Sequence, residues 1–278
     1  MMSVNTLNRA VNRQTHFAEK KAVSINISNG CLRYQDSEEA IIAGLNIHIP
    51  AAAWTCILGR SGCGKSSLLR YLANLLEDKV DWTGEISTQV EQHEQPHCDT
   101  QDQIAYMAQQ DLLMPWLTVL DNVMLSTKFG KAVTDPKALE LQLQKARSLL
   151  QKVGLRDKSN YLPQQLSGGM RQRVALARTL MQDKPIVLMD EPFSALDAVT
   201  RYRLQNLAHQ LLQDKTVVLI THDPQEAIRL ANRLYIMQGR PAFTESLTVP
   251  ESETPRNFDA ECAQLQQKIM DRLEQDYE

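Results

Sequence analysis

The residues best suited to chemistry stand in one stretch, Gly59-Arg-Ser-Gly-Cys-Gly-Lys-Ser66, which fits the pattern G-x-x-x-x-G-K-[ST]. Gly62 and Gly64 have no Cβ, so the backbone can turn tightly and bring N–H groups against phosphate oxygens. A helix starting near Lys65 adds free N–H groups and the positive end of its dipole. Lys65 can reach the β- and γ-phosphates of a nucleotide, and the Ser66 hydroxyl is a ligand suited to Mg2+. Arg60, Ser61, Cys63 and Ser67 complete the stretch expected to touch the nucleotide. A glycine-rich turn without nucleotide is the bland alternative; the apolar strand before the turn and the helix after it argue against that reading.

Five further places could turn phosphate binding into work. Ile186-Val-Leu-Met-Asp-Glu191 is an apolar strand that ends in two carboxylates. Asp190 can hold Mg2+, directly or through water. Glu191 can polarise an attacking water as general base, a role worth about 10²–10⁴ in rate. Two carboxylates after a strand can also be a helix cap; the phosphate loop beside them favours the chemical role. Thr221-His222 ends another apolar strand, where His222 could contact a γ-phosphate, although a lone histidine there is more often structural. Leu166-Ser-Gly-Gly169 is a second anion-ready helix start, with Ser167, Gly168 and Gly169 presenting a hydroxyl and N–H groups. Tyr34 could stack on adenine and Gln109 could reach Mg2+ or water, and each is weak evidence alone.

The elements that must position these groups alternate between strand and helix. Strand-like text runs over Val23–Ile27 and Ile41–Ile49, then Trp54 leads into the phosphate loop. Leu68, Leu69, Leu72, Leu75 and Leu76 recur at helical spacing. Gly84–Val90 reads as a strand and Glu91–Gln103 as a polar loop, in which His93, His97 and Cys98 lack the partners of a metal site. Asp135 and Pro136 open a helix over Thr134–Leu155, with Leu139, Leu143, Ala146, Leu149, Leu150 and Val153 on its apolar face and Gly154 closing it. Ser167–Met181 is a further helix, with Met170, Val174, Ala177 and Met181 on one side. Leu204, Leu207, Ala208 and Leu211 mark another. Asp223-Pro-Gln-Glu226 reads as a capping box. Ile186–Met189 and Val217–Thr221 are wholly apolar or nearly so, as buried parallel strands are. Leu234–Met237 reads as the last strand, and Cys262, Leu265, Ile269 and Leu273 as a final helix. The alternation predicts an α/β fold with a mainly parallel sheet around the phosphate loop.

Bulk properties narrow the classes. A net charge of −3 over 278 residues argues against a basic nucleic-acid binder, so no nucleic-acid partner is expected. Five widely spaced cysteines suit reduced thiols better than a disulfide framework. Residues 1–21 are polar and carry no secretory apolar run. The longest aliphatic runs are strand-sized, far short of the ~20 residues that cross a bilayer. Any membrane span must come from other chains.

Taken together and in order, the motifs resemble the ATPase subunit of an ATP-binding-cassette (ABC) transporter from about Val23 to Arg240. Gly59–Ser66 resembles Walker A, Gln109 the Q-loop glutamine, and Leu166–Arg173 the family signature. Ile186–Glu191 resembles Walker B with its catalytic glutamate, Ser194–Asp197 the D-loop, and His222 the switch histidine. Met170 in the signature, Pro115–Val123 and Asp190–Asp197 are similar to ATPases of nitrate, sulfonate, taurine and thiamine-precursor importers. Ala108 departs from the aromatic residue that often precedes the Q-loop glutamine.

The resemblance implies a P-loop (RecA-like) core with an antiparallel β subdomain and an inserted α-helical subdomain. It divides the chain into a flexible segment (1–21), an ATPase domain (22–240, helical part about 110–170) and a short helical extension (241–278). It implies catalytic roles for Glu191, His222 and Gln109, and Mg2+ held by Ser66, Gln109 and Asp190. ATP would be bound by Tyr34, Gly59–Ser67 and Ser167–Gly169, the last from a second copy of the chain. Asp197 would lie at the dimer seam. The expected partners are that second copy, integral-membrane permease subunits and, indirectly, a periplasmic or extracellular solute-binding protein. The expected place is the cytoplasmic face of the inner or plasma membrane, as a peripheral subunit. Trp116 and Leu117 are candidate permease contacts or core residues. The rivals are a soluble ABC ATPase not associated with transport, and a phosphate-loop kinase or GTPase. In the latter the signature and D-loop stretches would have no purpose.

Overall fold

Two sheets with opposite pairing habits organise the chain in a computed structural model that describes residues 22–76, 78–90, 93–96, 103–128 and 135–276. β1 (Ser24–Tyr34) and β2 (Ala40–Ile49) pair antiparallel. The chain then leaves through β3 (Trp54–Leu58) and α1 (Lys65–Leu72), and returns to the first sheet with β4 (Val80–Val90) and β5 (His93–Pro96). The first sheet has the order β2-β1-β4-β5. Alternation along β2 from Leu45, with Leu45, Ile47 and Ile49 buried and Asn46 and His48 exposed, leaves its other face to solvent.

The second sheet takes β3 and adds β6 (Ile104–Met107), β7 (Ile186–Asp190), β8 (Thr216–Thr221), β9 (Arg233–Gln238) and β10 (Phe243–Leu247). Its order is β10-β9-β3-β8-β7-β6, parallel except for β10 at one edge. Every residue of β3, β7 and β8 is buried, because helices cover one face and α1 with the first sheet covers the other. Alternate residues of β3 divide between two cores: Cys56 and Leu58 on one side, Ile57 on the other.

Helices fill the intervals. α2 (Val119–Val123), α3 (Leu125–Lys128) and α4 (Pro136–Lys152) lie between β6 and α5 (Gly168–Met181). A third core joins Val119, Val123, Ala146, Leu150, Val174 and Ala177 of these helices. α6 (Ala198–Leu211), α7 (Pro224–Leu230) and α8 (Ala260–Gln275) pack on the parallel sheet, α8 through Cys262, Leu265 and Ile269. Burying each such side chain is worth about 1.5–3 kcal/mol before the entropy of ordering it. Among the described residues no helix is long and apolar enough to cross a membrane.

Several expectations need correction. α1 ends at Leu72 and leaves Leu75 54% exposed, so the apolar spacing there outruns the helix. α4 ends at Lys152, and its Leu139 faces solvent while Ala146, Leu149 and Leu150 are buried. The loop expected over Glu91–Gln103 contains β5, which pairs with β4; His97 and Cys98 lie outside the described residues. Leu234–Met237 is not the last strand, since β10 follows and pairs with β9. Asp223 caps α7 by accepting from the N–H groups of Gln225 and Glu226, but the reciprocal half of a capping box is missing. Glu226 instead turns inward and accepts from Gln205 Nε2 at 2.8 Å.

Candidate functional site

Parallel register brings the candidate groups to one edge. Leu58 pairs with Thr221, Ile220 with Asp190, and Met107 with Met189, so the carboxyl ends of β3, β8, β7 and β6 stand side by side. The phosphate loop leaves β3, His222 leaves β8, Asp190 and Glu191 end β7, and Gln109 follows β6. Open parallel sheets place ligands at this edge.

The loop is built by its glycines. A Cβ on Gly59 would collide with the carbonyl oxygen of Met237, and one on Gly64 would come within 2.6 Å of Ile41 Cγ2. Gly64, at φ 104, is also the N-cap of α1 in a backbone conformation that side chains disfavour. Lys65 is 4% exposed, and its ammonium donates to the carbonyls of Gly59 and Arg60, both at 2.7 Å. Cys63 Sγ is a third neutral acceptor at 3.8 Å. An anion entering the loop could take over these bonds. Ser67 Oγ lies 3.1 Å from the Tyr34 hydroxyl, so Tyr34 reaches the start of α1 from the other sheet.

Ser66 Oγ donates to Asp190 Oδ1 at 2.8 Å. The other oxygen, Oδ2, accepts from the Tyr106 hydroxyl at 3.1 Å. Arg70 hydrogen-bonds Tyr106 in turn. Burial and the negative Asp190 push the Tyr106 hydroxyl above its ordinary pKa, so it stays a donor to that carboxylate. The donor set here is a hydroxyl and a carboxylate, both hard oxygens. Among the described residues no group of three His, Cys, Asp or Glu could hold a metal by itself. That chemistry fits Mg2+, which takes one or two carboxylates and completes its shell with phosphate and water.

Glu191 has φ 46, an uncommon backbone for a glutamate, fixed by its N–H donating to Ile220 O at 3.0 Å. Its Oε2 takes two contacts: His222 Nδ1 at 2.8 Å and Gln109 Nε2 at 3.3 Å. The glutamate side chain is 14% exposed and the histidine 53% exposed, so the group opens to solvent on the histidine side. Three residues spread over three strands thus meet at one carboxylate oxygen.

Ser167, Gly168 and Gly169 stand elsewhere. Ser167 caps α5 by accepting from the Met170 N–H, and Gly169 abuts the start of α6, where a Cβ would come within 2.6 Å of Thr200 Cγ2. Ser167 and Gly168 are exposed. The neighbouring turn is tied to the site: Ser194 Oγ donates to Glu191 O at 3.0 Å, and Asp197 caps α6. Arg201, on α6, bridges Leu196 O and the Asp223 carboxylate beside His222.

Sequence reasoning missed the residues that hold the Gln109 segment. Gln172 Nε2 donates to Gln109 O at 3.0 Å. Arg171 pairs with Asp111 at 2.9 Å, and Arg178 donates to the carbonyls of Asp111 and Leu112. All three project from α5, so the helix led by Ser167 grips the glutamine segment. Tyr106, Arg201 and Arg60 were likewise unassigned as supports. Arg171 and Gln172 carried a signal as part of the Leu166–Arg173 motif, and Arg60 as part of the phosphate loop; Arg178, Tyr106 and Arg201 carried none. Trp116 is 72% exposed, which removes the core alternative for it.

Comparison with known proteins agrees with this geometry. The profile of the ABC transporter family matches residues 42–194. An uncharacterized ABC transporter ATP-binding protein of Haemophilus influenzae is 40% identical over 84% of this chain and 93% of its own. An aliphatic sulfonates import ATP-binding protein, SsuB 1, of Mesorhizobium japonicum is 38% identical over 85% of this chain and 84% of its own. The dimeric post-hydrolysis structure of the ATP-binding cassette MJ0796 with ADP and Pi superposes with a TM-score of 0.64. It is 30% identical and covers 84% of this chain and all of the other.

Proposed function

The chain belongs to the ABC transporter family and is one of its ATP hydrolases, and from that premise we propose that it powers an importer as a head-to-tail homodimer. Each of two ATP molecules is gripped by Gly59–Ser67 of one copy and by Ser167–Gly169 of the other. The observation that carries the reading is the convergence of Gln109, His222 and Glu191 on one carboxylate oxygen beside the Ser66–Asp190 pair.

In this reading Lys65 exchanges its loop carbonyls for phosphate oxygens. Glu191 accepts a proton from the attacking water, and His222 and Gln109 orient its carboxylate. Ser66 and Asp190, with Gln109, hold Mg2+, which neutralises phosphate charge when bound. Tyr106 keeps Asp190 aimed at Ser66. The exposed Ser167 and Gly168 complete the partner's site, and loss of the γ-phosphate releases their grip. Asp197, beside them at the start of α6, lies along the seam.

The proposed division is an ATPase domain over 22–240 that includes a helical subdomain at about 110–170, followed by a short C-terminal helical extension over 241–278. The groove near Gln109–Trp116 receives a short helix of a membrane-spanning permease, with Trp116, 72% exposed, and Leu117 as its contacts. The subunit then sits peripherally on the cytoplasmic face of the membrane, and a solute-binding protein delivers cargo to the permease. The cargo is a small organic solute of the nitrate, sulfonate, taurine or thiamine-precursor type. Relatives named for aliphatic sulfonate import favour the sulfonate member of that set.

Light scattering of Glu191→Gln tests the core of this reading. With ATP and Mg2+ its mass should double, and with ADP it should return to that of a single chain. A mass that stays single with ATP, with the permease subunits present in detergent, refutes the homodimer.

A further inference from the structure

The end of α8 reaches the phosphate loop. Three contacts meet at Asp276, 216 residues along the chain from Arg60. Its Oδ1 accepts the Gly239 N–H at 2.6 Å, its Oδ2 lies 3.1 Å from Arg60 Nε, and its main-chain carbonyl accepts from Arg60 Nη1 at 2.8 Å. The two side chains are only 13% and 8% exposed, so this pair is shielded from solvent and salt. Gly239 follows β9 and Arg60 follows β3, which are neighbouring parallel strands. One carboxylate therefore ties the outgoing ends of both. Between them Gly59 runs so close to β9 that a Cβ there would collide with the Met237 carbonyl oxygen, so only a glycine fits beside that strand.

We propose that Asp276 is a positioning residue for the phosphate loop, acting through Arg60 on the backbone that holds Lys65. The Arg60 carbonyl is one of the two main-chain acceptors of the Lys65 ammonium, so fixing Arg60 helps fix where the lysine starts from. α8 is a firm support for this. Asp259 caps its first turn, Cys262, Leu265 and Ile269 are buried in the sheet core, and Arg272 pairs with Glu245 of β10 at 3.1 Å. A loop held before the nucleotide arrives loses less freedom on binding it. The residue touches no reacting atom, so its loss weakens ATP binding more than turnover. This inference rests on the ATP-site reading above.

The test measures KM for ATP, kcat and the Kd of a fluorescent ATP analogue in Asp276→Ala, Asp276→Asn, Arg60→Ala and the double variant Arg60→Ala/Asp276→Ala, with Lys65→Ala as control. Asp276→Ala should raise KM and Kd about tenfold or more, the loss of one shielded charge-assisted contact, and leave kcat within about twofold. Asp276→Asn keeps an acceptor for the Gly239 N–H and removes the charge, so its rise should be smaller. The double variant should be no worse than the worse single one, because both break the same link. If Asp276→Ala folds too poorly to assay, Asp276→Asn carries the test. A KM within twofold of the parent in the Asp276 variants, while Lys65→Ala loses nucleotide, overturns the positioning role and leaves the ATP site standing. Retention of nucleotide by Lys65→Ala overturns the site reading itself, and this inference with it.

Discussion

At the scale of the residue, Glu191 concentrates the chemistry. Its positive φ points the carboxylate out of the β7 line, toward His222 and Gln109. Replacing it by glutamine keeps the shape and removes the base. Phosphate release by Glu191→Gln should fall by about 10²–10⁴, with nucleotide affinity changed by no more than a few-fold. Turnover at the parent rate would remove Glu191 from the proposed role. Tyr106 offers a subtler case. Tyr106→Phe frees Asp190 Oδ2 and strands Arg70, so the Mg2+ concentration for half-maximal hydrolysis should rise about tenfold or more, the value of one hydrogen bond to a charged group. An unchanged Mg2+ titration would make Tyr106 a packing residue only.

Elements are held to the site by a few buried polar groups. Asn122 is fully buried in α2 and its amide serves the preceding turn. It accepts from the Met114 N–H at 2.8 Å and donates to the carbonyls of Met114, Leu117 and Thr118. That turn carries Trp116. Asn122→Ala should cost about 2–3 kcal/mol, because it leaves buried main-chain groups unpaired. Asn122→Asp should cost at least as much, since it sets a charge against three carbonyl oxygens. Urea midpoints at constant slope would measure both. Glu226 of α7 behaves in the opposite way. Burial raises its pKa above the ordinary carboxylate value, and Thr221 and Gln205 offset this only partly. Between the ordinary and the raised value the folded chain holds more protons than the unfolded one. This group's share of stability therefore falls as pH rises through that window and stays lowered above it. Glu226→Gln lacks the fall, so its melting temperature relative to the parent should climb from acid to neutral pH. A difference independent of pH would contradict the burial argument.

The whole molecule, as proposed, carries two half-sites that are completed between copies. The phosphate loop opens at the sheet edge, while Ser167 caps α5 and the adjoining Gly169 lies beside Thr200. A head-to-tail pair makes a specific prediction. Lys65→Ala spoils one half-site of a chain and Ser167→Arg the other, so each variant alone should be inactive. In a mixed dimer one of the two composite sites keeps both native halves. An equal mixture should recover up to about a quarter of the parent ATPase activity, given random pairing. A mixture no more active than its two components would argue against sites shared between copies.

Most of the fold and the candidate site were legible because they rest on local pattern. Gly62 and Gly64 with Lys65 and Ser66 spell a phosphate-binding turn in consecutive residues. Ile186–Met189 and Val217–Ile220 read as buried strands because they are wholly apolar, strand-sized and rich in β-branched residues. The boundaries that misled, at Leu75 and Leu139, are places where apolar spacing continues past the surface that buries it. Sequence by itself settled the type of most elements, though not β5 or β10, together with the order of the motifs and the kind of chemistry, which follow from neighbours in the chain. Only the tertiary structure decided that Tyr106 braces Asp190, that α5 grips the Gln109 segment, that Glu226 turns inward to Gln205, and that Asp276 closes on Arg60. Those contacts join residues from 21 to 216 positions apart. The geometry of packed strands and helices sets such distances, and no local periodicity carries them.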